Sequence, residues 1–192
     1  MKIELSNKLL DGIELSKVDN IPPFNQPYFN LPSGEEPYKL LVHLTNQFND
    51  VVISDLGTNR GASALALAQN KTNKIFSLDV VNVKENDIGM DNVEFVLGNF
   101  IENKEIQNKI LGSRFIYLDI DHGYTNEMWL CNFLNSNKWN GFVICDDIHF
   151  FDPMRRFWND VGNKKLDLTK YGHGAGTGCI WFGIDETEFC IV

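Results

Sequence analysis

At 192 residues the chain fits one domain, large enough to bury a full sheet with helices on both faces, and 43% hydrophobic with 12% aromatic residues excludes intrinsic disorder. Acidic residues outnumber basic ones by 26 to 17, a formal charge of −9 with no Lys/Arg cluster. That balance disfavours nucleic acid and anionic membranes, which both need a positive field.

The N-terminus lacks a continuous apolar run and no window reaches the length of a membrane span, so a cytoplasmic protein is expected. Cys131, Cys145, Cys179 and Cys190 are widely spaced with no C-x-x-C pair. They read as buried thiols, not as zinc ligands or disulfides.

Residues 1–32 end in a stretch, 21–32, whose four prolines exclude regular helix. Aromatics between the prolines suit either a strap packed on the sheet or a lid over a substrate site. Ser33 with Glu36 fits a capping box before an amphipathic run, while Pro37 at the first helical position would move the cap to Glu36. Glu36 is most simply a cap, with a site role as the alternative. His43, inside the apolar run, reads as a packed helix residue.

Residues 51–68 organise the chain. A β-branched run ends at Asp55, turns through Gly57 and Gly61, and continues as an Ala/Leu-rich segment, which reads as strand, tight loop, helix. The two glycines permit a sharp turn and a close approach. The pattern is D-x-G-x-x-x-G-x-S and not the G-x-G-x-x-G that holds a pyrophosphate. A nucleotide-like cofactor and an ordinary strand-to-helix turn both remain open on this motif alone.

Residues 74–79 form a second strand ending at Asp79, 24 positions after Asp55, where this architecture places a carboxylate on a ribose hydroxyl. A third strand covers 93–99. A fourth runs from Phe115 into a loop rich in ionisable groups, and the helical spacing of Met128, Leu130, Cys131 and Leu134 follows. The fifth, 142–149, stops at Asp146 and Asp147, and its unbroken apolar run fits a parallel strand covered on both faces. Pro153 opens a helix that Gly162 closes, 165–169 is a candidate sixth strand, and the glycine-rich turn 172–178 precedes a strand at 179–184. No helix follows that turn, so a hairpin returning an antiparallel last strand is expected in place of a phosphate loop. Acidic residues at the ends of strands one, two, four and five predict an α/β sheet whose ligand crevice lies along the carboxyl ends.

On the loop from Asp55 to Ser63, the chain resembles motif I of the class I S-adenosylmethionine-dependent methyltransferases, in the form used by small O-methyltransferases. The resemblance extends from about Ser33 to Ile184. Segments 118–124 (Asp119, Asp121, His122, Tyr124) and 145–149 (Asp146, Asp147) look like the D-x-D-H-x-Y and D-D motifs of a subgroup related to sugar and antibiotic-tailoring enzymes. They also resemble the metal sites of catechol- and caffeoyl-type enzymes; Ile120 stands where a glycine is often found. The implied fold is a single Rossmann-like methyltransferase domain over 1–192, with a strap or lid at 1–32 and a catalytic core at 33–192. Its sheet is mostly parallel and seven-stranded, with an antiparallel last strand. The implied cofactor is S-adenosyl-L-methionine, on Asp55, Gly57, Thr58, Gly61, Ser63, Asp79, Asn99 and Asp119. Asn99 departs from the family's usual Gly-Asp at the adenine. The expected acceptor is a hydroxyl of a small molecule or sugar, and a homodimer is left open.

Asp119, Asp146 and Asp147 end adjacent strands, and three carboxylates in one crevice repel unless a cation compensates them. A divalent metal is therefore expected on this trio, with Asp121 as a substitute ligand. All-oxygen ligation selects a hard ion, Mg²⁺ ahead of Mn²⁺ or Ca²⁺. The plainer alternative has Asp119 bonding loop amides and Asp147 capping a turn. His149 and His122 are the candidate general bases, with His173 a weaker third, against the plainer reading of loop histidines satisfied by backbone. Two other classes stay open: an NAD(P)-dependent oxidoreductase, which would want a glycine at Asn59, and a cofactor-binding protein without catalysis.

Overall fold

The computed structural model describes residues 1–15, 32–81 and 90–192, the side chains of 32–36 apart. Most of the proline-rich stretch expected as a strap or lid lies outside the described residues. The first residues instead form strand β1 (Lys2–Leu5), whose Ile3 and Leu5 are buried, and a short helix α1 (Asn7–Asp11) capped by the Ser6 hydroxyl. Helix α2 (Pro32–Thr45) already spans Ser33 and Glu36, so the backbone does not start at the capping box read from sequence.

From there strands and helices alternate: β2 (Val52–Leu56), α3 (Ala62–Leu67), β3 (Lys74–Asp79), β4 (Val93–Leu97), α4 (Lys104–Leu111), β5 (Phe115–Leu118), α5 (Thr125–Ser136), β6 (Gly141–Cys145) and α6 (Asp152–Asp160). Three strands complete the chain, β7 (Lys165–Asp167), β8 (Gly178–Phe182) and β9 (Glu188–Ile191). Seven of them make one sheet in the order β4-β3-β2-β5-β6-β8-β7. The five strands from β4 to β6 are parallel, and β8 runs antiparallel to both β6 and β7. The hairpin expected from the glycine-rich turn is thus present, with β8 inserted beside β6.

The sheet is covered on both faces because its central strands are buried at nearly every position and largely apolar, while their side chains alternate between faces. Ile53, Phe115, Tyr117, Phe142 and Ile144 pack with α2 and α3. Ile116, Leu118, Val143 and Cys145 pack with α4, α5 and α6. A second sheet was not foreseen: β1 pairs in parallel with β9, Lys2 opposite Glu188 through Leu5 opposite Ile191. Among the described residues no helix is long and apolar enough to cross a membrane.

The order places β5 on the far side of β2 from β3 and β4, so the connections leave β2 and β5 in opposite directions. Loops that diverge in this way leave a crevice above the carboxyl ends of the two strands. Asp55 and Asp119 sit at those ends.

Candidate active site

A cavity of about 450 Å³ opens at the carboxyl ends of β2 to β5 and is lined by, among others, Gly57, Asp79, Asn99, Asp119, Asp121 and His122. Gly57 has φ +101°, and a Cβ there would stand 1.7 Å from the Asp119 carbonyl oxygen. Its lack of a side chain therefore lets the turn after β2 close onto the end of β5. The Gly57 and Thr58 amides both donate to the Leu78 carbonyl, at 2.9 and 3.1 Å, which ties the same turn to β3. Gly61, at φ +80°, starts α3 in the left-handed conformation.

Asp79 faces the cavity with both carboxylate oxygens held by backbone, accepting from Asn59 N at 2.8 Å and Val81 N at 2.9 Å. Asn99 also lines it, and its Oδ1 accepts from the Ile101 amide. Asp55, Thr58 and Ser63 lie deeper. All three are buried and none lines the cavity. The Thr58 hydroxyl donates to Ser77 Oγ at 2.7 Å, which donates in turn to Asp55 Oδ2 at 2.6 Å. Asp55 Oδ1 has no hydrogen-bond partner. Burial pushes this carboxyl up to about 7 against the pull of the Ser77 and Ser63 hydroxyls, with repulsion from Asp119 and Asp79 added. Of the cofactor residues read from sequence, Gly57, Asp79, Asn99 and Asp119 thus share the cavity wall, and Asp55, Thr58 and Ser63 brace the loop from behind.

At the β5–β6 end the ionisable side chains form a chain. His122 Nε2 stands 3.2 Å from Asp119 Oδ1 and 3.1 Å from Asp147 Oδ2, in line for a hydrogen bond with neither. Contact with Asp119 and then Asp147 pushes the imidazole up to about 10, so it carries a positive charge at neutral pH. Asp147 Oδ1 accepts from His173 Nδ1 at 2.9 Å, and the same nitrogen is 3.7 Å from Asp146 Oδ1. Asp146 is buried, and Tyr117 donates its hydroxyl to Oδ2 at 3.0 Å while Oδ1 lacks a hydrogen-bond partner. Burial first, then Asp119 and Asp147, pushes Asp146 up to about 7. Burial would raise Asp147 as well, but His122 and His173 hold it below the usual carboxylate range.

Backbone strain gathers at this end. His122 (φ +55°), Tyr124 (φ +75°) and Asp147 (φ +56°) occupy left-handed or outlying conformations without being glycine. Such residues persist only where the surroundings over-determine them. His122 and Asp147, one after β5 and one after β6, are strained and in contact with each other.

The other candidates stand apart from this chain of ionisable side chains. Asp121 is exposed and accepts from the Asn126 side chain at 3.0 Å. His149 Nε2 lies 2.7 Å from Asp167 Oδ2, on an exposed pair outside the cavity wall. His43 bonds the Glu4 carbonyl at 2.8 Å, the packed role expected of it. The Glu36 side chain lies outside the described residues. Sequence reasoning missed Tyr117, whose one available signal was a phenol in the otherwise apolar run of β5, and ranked His173 too low to pair it with the aspartates.

At the level of sequence no family model matches the chain and no curated protein is similar to it. Solved structures are similar in fold. A Staphylococcus aureus protein assigned as a caffeoyl-CoA O-methyltransferase superposes with a TM-score of 0.59 at 15% identity, over 76% of this chain and 82% of that one. The methyltransferase PaMTH1 of Podospora anserina, bound to SAH, gives 0.57 at 14% identity over 87% and 91%. The O-methyltransferase TomG of Streptomyces achromogenes, in complex with SAM, gives 0.55 at 17% over 82% and 85%. The chain has the Rossmann-like methyltransferase fold. In such an open α/β sheet the ligand crevice is expected where the strand order reverses, which in this chain is the cavity between the ends of β2 and β5.

Asp146, Asp147 and His173 each offer one ligand atom, all within 4.8 Å of one another, a group that could hold a metal ion. The orphaned, buried Asp146 Oδ1 and the strain at Asp147 fit such an ion. Asp119, expected in this set, is joined to it through His122 instead.

Proposed function

We propose that the protein is an O-methyltransferase that uses S-adenosyl-L-methionine to methylate a hydroxyl of a small molecule or sugar. The observation that carries this reading is the adjacency of two features. A cavity whose wall carries Asp79 ends at Asp119 and His122, and His122 Nε2 stands 3.1 Å from Asp147 Oδ2 in the neighbouring Asp146–Asp147–His173 group. Cofactor and acceptor sites that adjoin in this way suit in-line transfer, in which the acceptor oxygen bonds the methyl carbon as the carbon–sulfur bond breaks.

The cofactor supplies the methyl sulfonium, and a divalent ion on Asp146, Asp147 and His173 would lower the pKa of the acceptor hydroxyl. The protein's own groups do the rest. Asp79, pre-set by the Asn59 and Val81 amides, accepts from ribose hydroxyls. Gly57 keeps the loop against Asp119, so the cavity wall carries no side chain at that point.

His122 Nε2 faces the carboxylates of both Asp119 and Asp147, which favours the protonated ring and makes His122 the poorer base of the two histidines. His149, two residues beyond Asp147 and outside the cavity wall, is the remaining candidate for that role. Asp167, itself held by Thr169, takes Nε2 and leaves Nδ1 to accept the acceptor's proton and pass it to solvent. A methyl-transfer screen over sugar nucleotides, glycosides and catechols tests the reading. Turnover on one of these classes supports it, and activity confined to protein or nucleic acid contradicts it.

A further inference from the structure

Three carboxylates end β5 and β6, and a histidine ring stands between two of them. His122 Nε2 stands between Asp119 Oδ1 and Asp147 Oδ2, so the nearer oxygen of Asp119 and one oxygen of Asp147 already face a ring nitrogen. On the other side of Asp147 a second imidazole and a second carboxylate converge. There Asp147 Oδ1 and His173 Nδ1 are 2.9 Å apart, and Asp146 Oδ1 is 3.7 Å from the same nitrogen. Neighbouring ligands of an ion bound at 2.0–2.2 Å stand roughly 3 Å apart, so these three atoms need only small shifts to share one.

Asp146 supplies an independent indication. It is 8% exposed, its Oδ2 is fixed by the Tyr117 hydroxyl, and its Oδ1 points into the group with no hydrogen-bond partner. A buried carboxylate oxygen left unpaired is costly unless something else compensates it.

We infer that the metal centre of this protein is built from Asp146, Asp147 and His173, with Asp119 excluded by His122, and that it takes a first-row transition-metal dication such as Mn²⁺ in preference to Mg²⁺. The inference rests on the metal-assisted reading above and adds the exclusion of Asp119 and the class of ion. The ordering follows from the donors. Mg²⁺ favours oxygen and water, whereas an imidazole nitrogen raises affinity for Mn²⁺ and the later metals. His173 is well placed to give it. Its loop runs back along the end of β6, with Ile148 and His149 amides donating to the Gly176 and Ala175 carbonyls, and the Thr177 hydroxyl accepts from the His173 amide. The His173 backbone is therefore anchored independently of its ring.

The test is titration of the metal-free full chain with Mn²⁺ and with Mg²⁺ by calorimetry, for wild type, His173→Gln, Asp146→Asn and Asp119→Asn. Pulsed EPR of bound Mn²⁺ looks for a directly coordinated ¹⁴N, and circular dichroism checks that each variant is folded. The expected result has Mn²⁺ binding at least about tenfold tighter than Mg²⁺ in wild type. His173→Gln removes the nitrogen signal and most of that preference. Asp146→Asn weakens Mn²⁺ by at least about tenfold, while Asp119→Asn weakens it less and leaves the nitrogen signal in place. Mn²⁺ binding that depends on Asp119 and shows no nitrogen would overturn this donor set and leave a metal-assisted enzyme standing. Wild-type protein that binds neither ion would overturn the metal-assisted reading itself.

Discussion

The imidazole of His122 faces the carboxylate of Asp147 at 3.1 Å, and both residues hold positive φ, +55° and +56°. Two strained residues on neighbouring loops are thus locked by opposite charges. Because the folded pKa of His122, about 10, lies above the ordinary 6.5, its contribution to stability is complete below about pH 6.5 and is lost as pH rises towards 10. The group is partly solvated, so about 1 kcal/mol is the expected size. In denaturant melts with EDTA, His122→Ala should be destabilised relative to wild type at pH 6.5 and lose most of that difference by pH 10.5.

Asp55 has the opposite sign of pH dependence from a paired carboxylate. Its folded value of about 7 lies above the usual 3.8, so the native state binds the extra proton and stability falls as pH rises between those values. Asp55→Asn should remove that slope: its stability relative to wild type should increase from pH 4 to pH 8, by up to roughly 4 kcal/mol. Parallel pH profiles for the two proteins would contradict the burial argument.

Gly57→Ala places a methyl group 1.7 Å from the Asp119 carbonyl oxygen at φ +101°. Neither strand end can move without breaking ladder bonds between β2 and β5. A loss of about 3–5 kcal/mol is expected, read as a shift in the denaturant midpoint.

His149 and Asp167 should act together if they move the acceptor's proton. His149→Ala should lower kcat by about 10²-fold or more, and Asp167→Asn should lower it less and change the pH profile. The double variant should be no worse than His149→Ala alone. Near wild-type turnover in His149→Ala would remove this histidine from the chemistry.

Much of this arrangement was legible because apolar runs stop at charged residues. Asp55, Asp79, Asp119 and Asp146 each end such a run, and the parallel strands bring those ends to one edge. The glycine loop was read as a sharp turn at Gly57 and a close approach at Gly61, whereas the close approach is at Gly57, against the Asp119 backbone. What pairs across loops was not legible. His173 and Asp147 are 26 residues apart and meet only because β8 inserts beside β6. The β1–β9 pair escaped notice because four-residue strands carry too little alternation to stand out.

Binding of the cofactor product tests the central claim most directly. In titration calorimetry with S-adenosylhomocysteine, NAD and NADP, wild-type protein should bind S-adenosylhomocysteine alone. Asp79→Ala, which removes the carboxylate held by the Asn59 and Val81 amides, should weaken it by about tenfold or more while the chain stays folded. Binding of a nicotinamide dinucleotide, with none of S-adenosylhomocysteine, would contradict the account.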